Sequence, residues 1–207
     1  VKEGVKKFAK YDVLIVDNSK NNNYYEIIKM KGVAVIKDKY FDSGRERVAH
    51  SRNILREEVL KKGYDYLLSL EQDVIPPRNV IELLMRHKKP VVSGIYFKEV
   101  ITEFMGKRKK EVLPLVYLDT GQEGLVGIMS DKLFYQKKLV KIRACGLGCV
   151  LIHRTVLEKI RFRYSHEWNT FDDILFCEDL RLNNIELYVD TSVHCAHDHR
   201  TWDNIAT

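Results

Sequence analysis

Apolar, strand-like segments alternate with helical patterns through the first hundred residues of the chain. The strand-like segments lie at residues 11–19, 33–36, 66–70 and 91–96, and the helical patterns lie at residues 21–30, 43–62 and 77–87. This alternation is typical of strands that helical crossovers join into one sheet. It predicts an α/β fold with a mostly parallel central sheet flanked by helices.

The segment at residues 66–70 ends in two carboxylates one residue apart, in Glu71-Gln72-Asp73. Pro76 and Pro77 then stop the strand and favour the start of a helix. Acids at the carboxyl end of a central strand lie where open α/β sheets bind ligands. Two such carboxylates can share a hard divalent cation, or divide between a cation and a sugar hydroxyl. A solvated turn is the alternative interpretation.

The helix predicted at residues 43–62 begins at the capping-box sequence Ser43-Gly44-Arg45-Glu46. Arg45, Arg52 and Arg56 share one of its faces. Guanidinium groups match phosphate oxygens in geometry and charge, so this face suits a diphosphate. An ordinary solvated basic face would have the same composition.

The regular alternation stops after residue 97. Residues 98–110 and 119–131 have the composition of loops, and a long loop in a compact domain is often functional. The first of them contains four consecutive cations at residues 107–110, which suit either a lid over a phosphate or a solvated hairpin tip. A strand is predicted at residues 139–144.

Four segments of the second half carry candidate ligand contacts. Cys145-Gly146-Leu147-Gly148-Cys149 contains two glycines, which let backbone approach a ligand closely. Trp168 lies in an irregular aromatic segment, where it could stack on a sugar ring or pin the loop to the core. Glu178-Asp179 opens a predicted short helix. His194, His197 and His199 fall within six residues, and neutral imidazoles are good ligands for transition metals.

Length and charge bound the interpretation. The 207 residues predict one domain, residues 1–207. A net charge of +6, from 35 Lys and Arg against 29 Asp and Glu, favours an anionic partner, although a solvated lysine-rich surface explains it equally well. Residues 1–10 lack a signal-peptide core, and the four cysteines are too few and scattered for a secreted disulfide scaffold. We therefore expect a cytoplasmic location, with the inner face of a membrane as a second site.

In this order, the motifs resemble those of GT-A fold glycosyltransferases, close to the family 2 type, over residues 11–199. Residues 11–19 resemble the strand whose terminal acid contacts the nucleotide base, which implies that role for Asp17. Ala49-His50-Ser51-Arg52-Asn53 resembles the helix segment whose arginine helps to hold the donor, which implies Arg52. Glu71-Gln72-Asp73 resembles the metal-binding acid-x-acid element of that family.

The resemblance continues into the second half. Residues 145–154 are similar to the acceptor-side glycine segment, which implies that Gly146 binds substrate, as Trp168 would from its loop. Glu178-Asp179 resembles the Glu-Asp pair of the family, in which the second acid is the usual catalytic base and the first contacts the acceptor. Residues 190–197 resemble the closing strand, and His197 matches its metal-binding histidine.

The resemblance implies a metal-dependent transfer of a sugar from a nucleotide-diphosphate sugar to an acceptor hydroxyl, with Asp179 as base. Inversion of the anomeric configuration is the expected outcome, and retention is the alternative. Asp73 and His197 would hold Mn²⁺ or Mg²⁺, and Glu71 would act through ribose or water. Residues 11–97 would form the nucleotide-sugar-binding half and residues 98–207 the acceptor-side half. The expected acceptors are a saccharide, a glycoprotein or a lipid-linked sugar, with an anionic membrane as a peripheral partner.

Two departures from the family and two alternative functions stay open. No counterpart of the first family strand precedes Tyr11, and Glu71 stands where the family usually has Asp. The same acids and arginines would also suit a nucleotidyltransferase, although its glycine-rich basic loop is missing. A non-catalytic basic module for nucleic acid or membranes would explain the charge, but no nucleic-acid-binding signature is found and no specific nucleic acid is expected.

Overall fold

The computed structural model describes residues 11–104, 107–122, 126–128, 136 and 138–197. Its helices are α1 (Asn23–Met30), α2 (Gly44–Lys62), α3 (Val80–Met85), α4 (Arg154–Lys159) and α5 (Asp172–Leu182). Its strands are β1 (Leu14–Asp17), β2 (Ala34–Lys37), β3 (Tyr66–Leu70), β4 (Val74–Ile75), β5 (Val91–Ile95), β6 (Phe97–Phe104), β7 (Lys107–Pro114), β8 (Val116–Asp119), β9 (Val126–Ile128), β10 (Leu139–Ile142), β11 (Ala144–Cys145), β12 (Cys149–His153), β13 (Leu187–His194) and β14 (Ala196–His197). Among these helices, none has the length and apolar character that a membrane crossing requires.

The first half follows the predicted order of elements. β1 and β2 form a parallel pair, and α2 packs against both β1 and β3. The Ser43 side chain accepts a hydrogen bond from the Glu46 N–H at the start of α2. Gly63 ends that helix with φ +68°, a left-handed conformation that glycine adopts without steric cost. Local signals therefore predicted both ends of this helix correctly.

The central sheet is mixed, which corrects the prediction of a mostly parallel sheet. Its strand order is β10-β13-β5-β12-β3. Only the β13–β5 pair is parallel in this sheet, because β12 inserts in the opposite direction between β5 and β3. The prediction failed because apolar content shows that a strand is buried but not which way it runs.

Three strands of this sheet still share one direction. β3 and β5 both run antiparallel to β12, and β13 runs parallel to β5. Their carboxyl ends therefore lie at one edge of the sheet, and the amino end of β12 lies at the same edge. The residues that follow Leu70, Ile95 and His194, together with the residues before Cys149, are brought to this edge by topology alone.

Helices cover both faces of the sheet. One apolar cluster joins the sheet to α2, α4 and α5 and includes Val59, Leu157 and Phe176, and the other joins it to α3 through Val80 and Leu84. Neighbouring residues of a strand enter opposite clusters, as the pleat requires. The sheet is therefore buried on both faces, and strand residues that could contact a ligand lie at its edges.

Two further elements differ from the prediction. Most of the segment predicted as a loop at residues 98–110 lies in the antiparallel strands β6 and β7, whose backbone register pairs position 103 with position 108. Helix α5 begins at Asp172 rather than at Glu178. Its N-cap, Phe171, makes no side-chain cap hydrogen bond, so the sequence carries no capping signal there.

Candidate functional site

Asp73 and His197 meet at the shared sheet edge. Asp73 follows β3, and His197 lies in β14, which pairs antiparallel with β4. The Nε2 atom of His197 is 3.5 Å from Oδ2 of Asp73, and the two side chains are only 7% and 5% exposed. The structure therefore brings together the two residues that the sequence predicted as metal ligands, from positions 124 residues apart. His199, the third predicted histidine, lies outside the described residues.

The hydrogen bonds of His197 determine which of its ring nitrogens faces Asp73 with a lone pair. Nδ1 lies 2.8 Å from the backbone oxygen of Phe97, and a carbonyl can only accept, so Nδ1 carries the hydrogen. In the neutral ring, Nε2 then presents a lone pair to the Asp73 carboxylate. Two acceptor atoms that face each other are stabilised by a shared cation or proton. Metal-binding histidines commonly donate their other N–H to a carbonyl in this way.

The donor set suits a hard divalent cation. Two oxygen or nitrogen ligands, each about 2.1 Å from one cation, can lie up to about 4 Å apart, so the 3.5 Å separation is compatible with a shared ion. Within the described ranges, no group of three or more His, Cys, Asp or Glu side chains has the arrangement needed to hold a metal ion by itself. A cation held here would need further ligands from substrate or water, as Mg²⁺ sites that bind phosphates usually have.

A buried ion cluster lies beside this pair and joins three elements. Arg52 of α2 is 6% exposed. Its Nη1 donates to both carboxylate oxygens of Asp172, at 2.6 Å each, and its Nη2 donates to Glu71. Burial raises the pKa of Glu71, although Arg52 opposes that rise. The cluster fixes the start of α5 against the end of β3.

This cluster changes the predicted roles of Arg52 and Glu71. The guanidinium of Arg52 was predicted to contact a diphosphate, but three carboxylate hydrogen bonds already engage it. The Glu71 carboxylate was predicted to act toward ribose or a metal-bound water, and in this structure it accepts from Arg52. The two residues therefore hold the site together in this structure.

Asp173 is a candidate residue that the sequence interpretation missed. It follows Asp172 in the first turn of α5 and is partly exposed. Burial, and next the neighbouring Asp172 carboxylate, raise the pKa of Asp173 to about 6, against the opposing effects of the Ile174 N–H and Arg52. A general base works best when its pKa is near the working pH. The available signal was an acid pair in the first turn of a helix, but the helix start was predicted six residues too late.

Asp179 lies about 10 Å further along α5, because it is seven residues after Asp172. Arg163 binds it with two hydrogen bonds of 2.7 Å. Glu178 bonds to Arg181 and Arg143, and these bonds lower its pKa to about 2. The structure does not bring these two acids into the ion cluster, so it offers no support for Asp179 as base or for Glu178 as an acceptor contact.

A cavity of about 320 Å³ lies at the carboxyl ends of α4 and α5. It is lined by Lys159, Ile160, Arg161, Arg163, Asp179 and Asn183. None of the cluster residues lines this cavity. Cations at these helix ends are accounted for by the negative end of the helix dipole.

Asp17 ends β1 and is 4% exposed. Its carboxylate accepts from Lys37 Nζ at 2.9 Å and from the Ser19 N–H at 3.0 Å. Burial alone would raise the pKa of Asp17, but the hydrogen bonds from Lys37 and Ser19 outweigh burial and lower it. The residue is therefore held ionised at the carboxyl edge of the β1–β2 pair, where its predicted contact with a nucleotide base remains a prediction.

Asp38 is a second polar residue that was not predicted. It follows β2, is 6% exposed, and accepts from Ser51 Oγ at 2.8 Å. His50 Nδ1 lies 2.8 Å from its other oxygen, and Asn18 donates to Ser51. This network ties the ends of β1 and β2 to α2.

Gly146 and Trp168 have different surroundings. Gly146 is buried, and a Cβ built on it would lie 2.1 Å from the hydroxyl oxygen of Tyr96. Its lack of a side chain is therefore needed for protein packing, and the predicted contact between Gly146 and substrate finds no support. Trp168 is 55% exposed, and Phe171 (49%) and Ile174 (40%) are exposed close by in sequence, around the start of α5. The predicted stacking role of Trp168 is compatible with this exposure.

Comparisons with known proteins bear on the fold. Neither a protein-family model nor a curated protein sequence matches the chain. The structure is similar to the crystal structure of A197 from STIV, with 20% identity, a TM-score of 0.50, and coverage of 89% of this chain and 83% of that chain. It is also similar to the crystal structure of GalNAc-T7 with UDP, GalNAc and Mn²⁺, with 12% identity, a TM-score of 0.54, and coverage of 90% of this chain.

At these identities the similarity shows a shared fold alone. The chain spans 37% of the GalNAc-T7 chain. The likeness to a glycosyltransferase agrees with the predicted α/β fold, with the correction that the central sheet is mixed.

Proposed function

We propose that the protein transfers a sugar from a nucleotide-diphosphate sugar to an acceptor hydroxyl. The observation that carries this proposal is the Asp73–His197 pair, in which a carboxylate oxygen and the imidazole Nε2 atom lie 3.5 Å apart at the sheet edge. The fold shared with GalNAc-T7, whose crystals contain UDP and Mn²⁺, agrees with a nucleotide-sugar donor and a divalent cation.

Asp73 and His197 are the proposed ligands of Mn²⁺ or Mg²⁺. When bound, such a cation supplies positive charge that offsets the charge developing on the departing diphosphate. Asp17 is the proposed contact to the nucleotide base, since its ionised carboxylate can accept a hydrogen bond from a base N–H. The proposed role of Arg52 is to hold Glu71 and Asp172 in fixed positions rather than to bind phosphate.

Asp173 is the proposed base, in place of Asp179. Its carboxylate is partly exposed and electrostatically coupled to Glu71 and Arg52, and its pKa of about 6 leaves it ionised at neutral pH. It would take the proton of the acceptor hydroxyl as that oxygen attacks the anomeric carbon. With one base and no covalent intermediate, the reaction would invert the configuration of the sugar.

The acceptor would lie beside the first turn of α5. Trp168 is the proposed stacking surface for it, because an exposed indole can cover the face of a sugar ring. The acceptor classes remain a saccharide, a glycoprotein or a lipid-linked sugar.

The test compares Asp73→Asn, Asp173→Asn and Asp179→Asn in sugar transfer and in thermal stabilisation by nucleoside diphosphate with Mn²⁺. Asp73→Asn should lose the Mn²⁺-dependent part of the stabilisation. Asp173→Asn should keep it but lose about 10²- to 10⁴-fold in turnover, as expected for a missing general base. Asp179→Asn is the matched control and should retain turnover.

The results separate the alternatives. If wild-type protein shows no stabilisation by any nucleoside diphosphate with Mn²⁺, the proposed function is wrong. If Asp179→Asn is inactive while Asp173→Asn is active, the base assignment returns to Asp179. Release of pyrophosphate rather than nucleoside diphosphate would instead indicate a nucleotidyltransferase.

A further inference from the structure

Tyr96 lies at the centre of the sheet edge that carries the candidate site. It follows β5 directly and is 3% exposed. Its ring meets the ring of His197 edge-on, with the centroids 5.4 Å apart. On its other side the phenol reaches the segment between β11 and β12 that contains Gly146 and Gly148.

The two glycines pack closely against this phenol. A Cβ on Gly146 would lie 2.1 Å from the Tyr96 hydroxyl oxygen and 3.1 Å from Cζ. A Cβ on Gly148 would lie 2.9 Å from the same ring and 2.8 Å from a methyl group of Val74. The buried tyrosine ring is closely packed, so a side chain at either position would clash with it and force a costly shift of the ring or of the glycine segment.

Hydrogen bonds extend this packing to the neighbouring strand. The Gly148 N–H donates to the Tyr96 hydroxyl at 3.0 Å. The Gly148 carbonyl accepts from the Glu71 N–H at 3.0 Å. The phenol is thereby linked, through one glycine, to the residue two positions before Asp73.

Tyr96 is also connected to His197 through the backbone. The carbonyl that accepts from His197 Nδ1 belongs to Phe97, the next residue in the chain. The Tyr96 carbonyl accepts from the Leu115 N–H, and the Leu115 carbonyl accepts from Gly146 N–H. Side chain and backbone of Tyr96 are therefore both fixed by the glycine segment and by the residue that precedes β8.

We infer that Tyr96, held by Gly146 and Gly148, is a positioning residue that sets the direction of His197 Nε2 toward Asp73. The tyrosine fixes the Phe97 carbonyl, and that carbonyl fixes the imidazole. The inference deepens the proposed function, and it rests on that proposal only where a cation is concerned. It also assigns the glycine segment a structural role, the positioning of Tyr96, in place of substrate contact.

The test uses Gly146→Ala, Tyr96→Phe and the double variant, with Gly44→Ala as control. Gly44 has only a flexible arginine atom 3.5 Å from the added Cβ. Mn²⁺ affinity is measured by electron paramagnetic resonance of the free ion, and the His197 ring is followed by NMR of histidine-labelled protein without metal. Changing groups that orient a metal ligand typically weakens metal binding 10- to 100-fold.

Gly146→Ala should weaken Mn²⁺ binding at least about tenfold and shift the His197 ring signals. Tyr96→Phe should cause a smaller loss, because Gly148 N–H loses its acceptor while the ring stays. In the double variant the clashing oxygen is gone and the nearest ring atom is 3.1 Å away. The double variant should therefore recover most of the affinity and return the His197 signals toward wild type.

Each outcome decides the inference. A double variant that is worse than either single variant would overturn it, as would His197 signals that are the same in wild type, both single variants and the double variant. If wild-type protein does not bind Mn²⁺, the proposed function fails, and the NMR pattern alone decides whether Tyr96 positions His197. If Gly146→Ala does not fold but the double variant does, the rescue is shown directly. If neither folds, unchanged His197 signals in Tyr96→Phe overturn the inference, and shifted signals support it.

Discussion

Replacing Asp173 by Asn is expected to stabilise the folded protein at neutral pH while removing turnover. Burial, followed by the neighbouring Asp172, raises the pKa of Asp173 from its ordinary 3.8 to about 6. Between these two pH values the unfolded chain has released the proton and the folded chain retains it. Stability therefore falls as pH rises through this window, and the total loss is about 3 kcal/mol.

Asparagine does not titrate, and its side-chain oxygen can still accept the hydrogen bond that the Ile174 N–H donates to Asp173 at 2.7 Å. The variant should therefore avoid the loss of stability that ionisation of the Asp173 carboxylate causes in the folded protein. The free energy of unfolding of Asp173→Asn should exceed that of wild type by less than about 1 kcal/mol at pH 4, and by about 3 kcal/mol at pH 7.5.

Urea denaturation at pH 4 and pH 7.5 measures this difference. Asp179→Asn is the matched control, because it removes an acid from the same helix that is ion-paired with Arg163. That variant should lose up to about 1 kcal/mol at pH 7.5, the usual worth of a surface ion pair. Equal stability of Asp173→Asn and wild type at pH 7.5 would refute the claim that Asp173 is held in a desolvated position.

Two further variants, each with a control, test the packing around the site. Arg52→Met should cost about 3–5 kcal/mol in urea denaturation, because it leaves the buried Asp172 carboxylate without its cation. Arg45→Met, at a partly exposed position where the side chain bonds to Asn169, should change stability by no more than about 0.5 kcal/mol. Gly94→Ala should lower the free energy of unfolding by about 1–3 kcal/mol, since its Cβ would lie 3.1–3.3 Å from three buried side chains. Gly44→Ala is the control and should leave stability unchanged. Equal effects of the two glycine changes would contradict the described packing.

Local sequence patterns determined much of the first half of the fold. The apolar segments before Asp17 and Glu71 became strands, and the capping signals at Ser43 and Gly63 marked both ends of α2. These features depend on residues within a few positions of one another, which is the range over which propensity, capping and periodicity act. The position of Asp73 at the end of a buried strand is a prediction of the same local kind.

Strand direction and the surroundings of the two acid pairs were decided only in three dimensions. Asp172-Asp173 and Glu178-Asp179 lie in the same helix, and the family resemblance favoured the second pair as the site. The buried guanidinium of Arg52, 120 residues away in the chain, holds Asp172 of the first pair to Glu71 at the end of β3. A contact over that separation depends on how the sheet and helices pack, and no local periodicity encodes it. For the same reason, the sequence predicted Asp73 and His197 as ligands, and only the fold could place them 3.5 Å apart.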